Sequence, residues 1–258
     1  MSHKVTVNHL HLVVNLSLNF PENLKQLPGA EKPPSERTTV IFDPFVTAQL
    51  LSIIGSTLNG EAVVRGRSLF ADRVGDIIAS ELVTLIDDPT DVRAYTATDV
   101  DGEGLATRRN VLIDAGRLDH FVQSTYSARR AGVVSTGNGV RGGFSSTPGT
   151  GCLALQLVPG ARSRNDLISD VDHGVLVQSL SGVQSGVNTV SGDVSVGATG
   201  ITIRNGALAT PVREFTVAST IQRLLTDVVE VGGDVEWLPS RAAGVSLVVR
   251  DVSVSGTS

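Results

Sequence analysis

Two histidines near the start of the chain have a spacing that would suit metal binding. His9 and His11 lie two positions apart in a segment, 5–18, whose apolar residues alternate, so a strand there would place both imidazoles on one face. A zinc ion in a protein takes three or four protein ligands. The other three histidines show no ligand spacing and the sequence contains no HExxH motif, so we predict no metal site and no cofactor.

The side chains that suit nucleophilic or acid–base chemistry also have simpler structural explanations. Cys152 is the only cysteine and lies in the apolar run 151–155, which favours a buried hydrophobic role over that of a nucleophile. Paired carboxylates can transfer protons. Here, however, they lie at Pro or Gly turns, where Asp typically caps the backbone. These carboxylates are Asp87 and Asp88, and then Asp99, Asp101 and Glu103.

The segment Gly137–Gly142 matches the pattern G-x-G-x-x-G of dinucleotide-binding loops. That function needs a strand before the loop and a helix after it, so that the helix N-terminus faces the phosphates. Here more Gly- and Pro-rich sequence follows, up to Gly151. We therefore interpret 135–151 as a surface loop.

Composition excludes several classes of function. The net charge is −5, with no basic stripe to neutralise a phosphate backbone, which argues against nucleic acid as a partner. No apolar run approaches the roughly 20 residues that span a bilayer, so no membrane segment is predicted. A single cysteine fits a reducing compartment, and we expect a cytoplasmic protein.

The chain divides near residue 36. All lysines precede this point and all arginines follow it, and a Pro-rich stretch, 28–34, coincides with the change. We expect residues 1–36 to be an N-terminal tail or linker and residues 37–258 to be one domain.

Within that domain the patterns predict an α+β fold that is rich in β-structure. Asp43 followed by Pro44 is typical of a helix start, and the helix is expected to end near Asn59–Gly60. A second main helix is expected over 217–229, from its helical spacing. Asn205–Gly206 predicts a two-residue hairpin turn. We expect a largely antiparallel sheet or a barrel-like domain.

A series of short motifs, in order along residues 38–256, resembles the TldD/PmbA family. Each motif is weak alone, but the shared order is specific. The motifs include Gly66–Phe70, Arg73–Gly75, Asp87–Pro89, Asp101–Gly104, Ser127–Arg129, Ser135–Asn138, Ser191–Ser195 and Val231–Asp234.

The resemblance implies a protein without the family's metal site. TldD-like members resemble peptidases with an HExxxH motif on a helix, and here Leu51, Ser52 and Ser56 stand at the three motif positions. This is the TldE/PmbA pattern. It implies a non-catalytic subunit, inactive alone, that pairs with a TldD-like metallopeptidase subunit to process a peptide substrate. The alternative is a stand-alone binding or structural module without peptidase activity.

Polar side chains in two glycine-containing segments, 135–151 and 188–195, together with Arg130 shortly before the first segment, are the candidates for a surface that binds a peptide or a partner. Arginine at this surface would bind a carboxylate in a forked geometry. The candidates are Arg130, Asn138, Arg141, Asn188, Ser191, Asp193 and Ser195.

Overall fold

A computed structural model describes residues 29–256. Its elements in that range are β1 (Glu36–Phe42), α1 (Pro44–Thr57), α2 (Gly60–Val64), β2 (Leu85–Asp87), β3 (Asn110–Asp114), β4 (Arg117–Leu118), α3 (Thr125–Ala131), β5 (Gly139–Val140), β6 (Gly149–Thr150), β7 (Leu155–Leu157), α4 (Arg164–Ser169), β8 (His173–Ser181), α5 (Val183–Gly186), β9 (Asp193–Arg204), β10 (Ala207–Thr220), α6 (Ile221–Thr226), β11 (Val228–Val231), β12 (Glu236–Trp237), β13 (Ala243–Gly244) and β14 (Leu247–Ser255). None of the helices in this range has the length and apolar character needed to cross a membrane.

Five strands close into a barrel. They hydrogen-bond in the order β1, β8, β9, β10 and β14, and β14 returns to pair with β1. Only β1 and β8 pair in parallel within this ring. Closure leaves the ring without an open edge. The expected α+β, largely antiparallel and barrel-like fold is confirmed.

The longest hairpin of the barrel joins β9 to β10. Asn205 and Gly206 connect the strands with φ angles of 49° and 73°, and Arg204 pairs with Ala207. Two successive positive φ values are what a type I′ turn requires, and Asn–Gly supplies them at little cost. The predicted hairpin is confirmed, with strands longer than the sequence indicated.

The prediction of a second main helix over 217–229 is wrong. Only Ile221–Thr226 is helical, because the chain before it belongs to β10. Phe215 and Val217 face the core with alternating burial, and Val217 pairs with both Val196 and Val254. Contacts with distant strands thus override a local spacing that also suits a helix.

Helix α1 begins and ends where the sequence predicts. The Asp43 side chain accepts a hydrogen bond from the backbone N–H of Phe45, and Pro44 is the first helical residue. Arg164 holds this cap in place, since its guanidinium lies 3.0 Å from Asp43 and 3.2 Å from Asp234. Burial raises the pKa of Asp43. The helix contacts β8 of the barrel and β7 of the second sheet.

A second sheet, in the order β4, β3, β2 and β7, contains a fully buried carboxylate at the end of β2. One oxygen of Asp87 accepts hydrogen bonds from the backbone N–H groups of Leu153 (2.8 Å) and Ala154 (2.7 Å). The other accepts one from the Asn138 amide at 2.6 Å. A single charge thus fixes both ends of the loop 138–154 against the sheet.

The predicted boundary near residue 36 falls at the start of β1. Just before it, the backbone of Glu31 bonds to Pro211 and Arg213 of β10, and Pro33 is buried. The Glu36 carboxylate contacts the His173 ring at 2.6 Å. The segment 5–18 with His9 and His11 lies outside the described residues.

The contacts of residues 31–36 predict the effect of two truncations. A chain that begins at Glu31 keeps them and should melt within about 2 °C of the full chain. A chain that begins at Arg37 loses two backbone hydrogen bonds and the burial of Pro33, so we expect its melting temperature to fall by about 4–8 °C. Differential scanning calorimetry measures both. Equal melting temperatures for the two truncated chains would place the domain boundary at residue 36.

The buried carboxylate predicts a large loss of stability for Asp87→Asn. The variant puts an N–H donor or a neutral oxygen where three donors converge, so we expect the free energy of unfolding to fall by roughly 2–4 kcal/mol. Asp114→Asn is the matched control, since Asp114 is exposed on the neighbouring strand, and it should change stability by less than about 0.5 kcal/mol. Urea unfolding measures both.

The pH dependence of that loss has a definite sign. Burial raises the pKa of Asp87 above its ordinary value of 3.8, so the folded chain takes up a proton at higher pH than the unfolded chain does. The wild type should therefore gain stability relative to Asp87→Asn as pH falls from neutral towards 3.8. A stability difference that shrinks as pH falls would show instead that the hydrogen bonds hold this pKa below its ordinary value.

Candidate functional site

A groove runs along the outer face of α1. Gln49, Ser52 and Ser56 form its floor, one helical turn apart. On one side the floor meets loop 138–154, with a cavity of about 350 Å³, and on the other it meets α5 and residues 187–189, with about 500 Å³. Ser52 and Ser56 line both cavities, so the two are parts of one groove.

Close packing on α1 sets the depth of the groove. A Cβ atom at Gly55 would lie 2.4 Å from Leu155 and 3.2 Å from the Cys152 sulfur, so only glycine allows this approach. The Asn59 amide donates to the Thr150 carbonyl at 2.6 Å and ties the end of the helix to the same loop. The wall of the groove is therefore a fixed surface.

Asn138 supports this wall from inside and does not lie on the surface. It was predicted to bind a peptide or partner, but its side chain is fully buried. Its amide donates to Asp87 and to the Gly151 carbonyl at 3.1 Å, and its oxygen accepts a bond from the Thr136 hydroxyl at 2.6 Å. With these hydrogen-bonding groups occupied inside the fold, the Asn138 side chain positions the loop.

Cys152 lies beneath the groove as a neutral thiol. Burial raises its pKa well above the usual range, and the nearby Asp87 carboxylate raises it further. The sulfur lies 3.7 Å from the Gly55 carbonyl. A thiol that resists deprotonation is a poor nucleophile, which agrees with the structural role expected from the sequence.

The positions that the family resemblance assigns to the metal motif do not fit a zinc ion. Leu51 is 2% exposed and faces the core. The hydroxyls of Ser52 and Ser56 donate to the carbonyls of Ala48 and Ile53 within the same helix. No set of three or more His, Cys, Asp and Glu side chains in residues 29–256 is arranged to hold a metal ion. Zinc needs such ligands, so we derive no metal chemistry here.

Of the two predicted surface arginines, Arg130 lies before loop 138–154 and Arg141 lies within it. Arg130 is exposed at the end of α3, with its guanidinium 6.0 Å from the centre of the Tyr126 ring. Arg141 is also exposed, but its guanidinium donates to the carbonyls of Gly102 and Ser146 and holds the loop. Arg130 is therefore better placed for a partner than Arg141.

The other predicted surface residues lie near α5. Asn188 accepts bonds from the backbone of Val190 and Ser191, which shapes a turn. The Ser191 hydroxyl donates to Asp193 at 2.6 Å, and Ser195 is exposed on β9. These four candidate residues cluster beside the groove wall formed by residues 187–189, apart from Arg130.

The remaining sequence motifs have structural roles. After Gly142 the chain turns through Gly143–Ser146 and enters no helix, as expected for a surface loop. Asp101 accepts bonds from the backbone N–H groups of Glu103, Leu105 and Gly139, which agrees with a capping role. His120 contacts Asp119.

Among the groove residues that the sequence did not predict, Arg241 is the charged one. Its carbonyl accepts a hydrogen bond from the Leu155 N–H at 2.8 Å, which brings a distant part of the chain to the cavity. Within the described range its guanidinium makes no hydrogen bond or ion pair. No local pattern around position 241 signals this placement.

The comparisons with known proteins all indicate the same family. Residues 35–256 match the model of the PmbA/TldA metallopeptidase C-terminal domain. A metalloprotease TldD homolog from Buchnera aphidicola is 33% identical over 71% of this chain and 38% of its own length. The metalloprotease PmbA of Escherichia coli O157:H7 is 27% identical over 85% of this chain and 46% of its own.

A solved structure agrees with these matches. TldE from Thermococcus kodakarensis superposes with a TM-score of 0.80 and 31% identity, over 87% of this chain and 51% of that one. The chain thus spans about half the length, or less, of these relatives. The matched range contains the barrel, helix α1 and the groove. The chain belongs to the PmbA/TldD metallopeptidase family, whose C-terminal domain it contains.

Proposed function

We propose that this chain is a non-catalytic, TldE/PmbA-type subunit that pairs with a TldD-like metallopeptidase and helps it to process peptides. The observation that carries the proposal is the set of residues at the metal-motif positions of α1. The family match includes this helix, yet Leu51, Ser52 and Ser56 stand at the positions of the metal motif that the resemblance assigns. The single thiol, Cys152, suits a reducing compartment, so we place the assembly in the cytoplasm.

The groove supports a role in holding a peptide. It is long, open and lined mainly by hydroxyl, amide and aliphatic side chains from α1, loop 138–154 and α5. The short strands β5 and β6 contribute Val140 and Thr150 to its wall. An extended peptide bonds to such strands through its main chain, with little demand on its sequence. In an assembly, this groove would extend the path to the partner's zinc.

A basic and apolar surface near the groove supports docking of a partner. Arg129 and Arg130 are exposed on the last turn of α3, and neither forms an ion pair with a described residue. Arg108 joins the same face by donating to the Ser135 carbonyl. The apolar side chains Val133 and Val134 are 53% and 81% exposed there. Arginine flanked by exposed apolar residues is typical of interface centres.

The zinc content of the purified chain tests whether α1 lacks a zinc site. We expect well under one zinc per chain after gel filtration, because no described side chain at the motif positions ligates zinc. Elemental analysis of tag-free protein gives the ratio, with the TldD-like partner as a positive control. Near-stoichiometric zinc that survives mild chelation would contradict the expectation and direct attention to His9 and His11.

The assembly itself is tested by co-expression with a TldD-like protein from the same source. We expect the two to elute together at micromolar concentration and to cleave peptides faster than the partner alone. A stable pair should bury at least about 1,000 Å². If they elute separately and the partner alone cleaves equally fast, the subunit proposal fails and a stand-alone binding module is the better account.

Charge reversal on α3 tests the docking surface. We expect Arg129→Glu together with Arg130→Glu to weaken the pair by at least about tenfold, since each reversed charge meets a surface that complements arginine. Arg213→Glu together with Arg250→Glu is the matched control, because both arginines are exposed, neither forms an ion pair with a described residue, and the net charge changes by the same amount. Biolayer interferometry measures the affinities. Equal losses for both proteins would show only a general effect of net charge.

A further inference from the structure

Arg241 is the single charged side chain among the described residues that line the groove. The lining on either side of Ser52 and Ser56 otherwise consists of neutral polar and apolar residues. Its guanidinium has no acidic partner in the described structure, unlike Arg164, which contacts three carboxylates. A fixed positive charge at the edge of a neutral cavity attracts an anionic ligand.

The surroundings of Arg241 are built to present it to a ligand. Its backbone is held by the hydrogen bond from Leu155 and by the bridge between Leu155 and Ala242. Nearby Cys152 is a neutral thiol because burial raises its pKa, so it supplies no competing negative charge. The buried Asp87 carboxylate, which also raises the pKa of that thiol, is occupied by its own three donors. The guanidinium is thus free to bind in a forked geometry.

The floor of the groove complements such a ligand. The hydroxyls of Ser52 and Ser56 donate hydrogen bonds to carbonyls of α1. Their oxygen lone pairs therefore remain available on the cavity side as hydrogen-bond acceptors. These acceptors suit the N–H groups of a peptide backbone. The cavity beside Arg241, about 350 Å³, has room for roughly two or three residues of an extended chain.

We propose that Arg241 binds a carboxylate of a peptide that lies in the groove, whether the peptide's free C-terminus or an acidic side chain. The proposal deepens the proposed function and rests on it for the class of ligand. In this account Ser52 and Ser56, two of the three positions that the resemblance assigns to the metal motif, serve recognition here. Arg241 supplies the charge, and Ser52 and Ser56 accept bonds from the peptide backbone.

Fluorescence anisotropy with three labelled heptapeptides of small neutral residues tests the proposal on the full chain, alone and with its metallopeptidase partner. One peptide has a free C-terminus, one is amidated, and one is amidated with a single internal Glu. We expect amidation to weaken binding by about tenfold, the scale of a charge-assisted hydrogen bond. Recovery in the Glu peptide would show that an acidic side chain is accepted as well as the C-terminus, and no recovery would show that only the C-terminus is bound.

The Arg241→Gln variant separates recognition from general charge effects. It should lose about tenfold in affinity for the carboxylate peptide and nothing further on amidation, while Arg241→Lys should recover part of the loss. Arg250→Gln, an exposed arginine on β14, is the matched control and should bind like the wild type. Amidation that still weakens binding to Arg241→Gln would overturn the proposal, as would no detectable binding of any peptide to the wild type.

These outcomes are distinguishable from failure of the proposed function. Arg241 lies in the groove, and the docking surface on α3 consists of other residues, so Arg241→Gln should still elute with the partner. An assembled pair whose affinity for carboxylate peptides is unchanged by Arg241→Gln would refute the inference alone. A chain that binds carboxylate peptides through Arg241 but never assembles would refute the subunit role alone.

Discussion

The groove depends on one buried carboxylate. Asp87 receives two backbone hydrogen bonds from Leu153 and Ala154 and one from Asn138, and so fixes both ends of loop 138–154. Because burying a charge is costly, this arrangement is stable only while all three donors are in place. Asn138 in turn holds Gly151, and Gly55 lets the loop approach α1 closely. The position of the loop that forms the groove wall therefore depends on the Asp87 carboxylate in the second sheet.

The helix beneath the groove is rigid for equally local reasons. Asp43 caps its start, Arg164 fixes the cap, and its apolar face is buried against the barrel and the second sheet. What differs from the pattern of a metallopeptidase lies at three positions of this helix, Leu51 on its buried side and Ser52 and Ser56 on its outer face. A scaffold that keeps its shape without its metal ligands can still bind and position a peptide, since recognition needs geometry and hydrogen bonds and no zinc.

The sequence predicts those features that local chemistry determines. Asp43–Pro44 indicates the start of α1, and Asn205–Gly206 indicates the hairpin, since each pattern has a direct backbone cause. Features set by distant contacts are missed. The prediction for 217–229 fails because Val217 pairs with strands elsewhere in the chain. The sequence places Asn138 in a glycine-rich loop, yet its burial depends on Asp87, 51 positions away. Arg241 reaches the groove only through the closure of the fold.

The proposed assembly joins the α3 surface to a TldD-like partner and holds a peptide in the groove along α1. Hydrogen–deuterium exchange of the chain, with and without a TldD-like partner, tests it most directly. The account predicts slower exchange over residues 126–146 when the partner is added, and further slowing at 183–189 when peptide is also present. The hairpin turn at Asn205–Gly206 should not change. Exchange that is unaltered at α3 and the groove, or slowed only at the hairpin, would contradict the account.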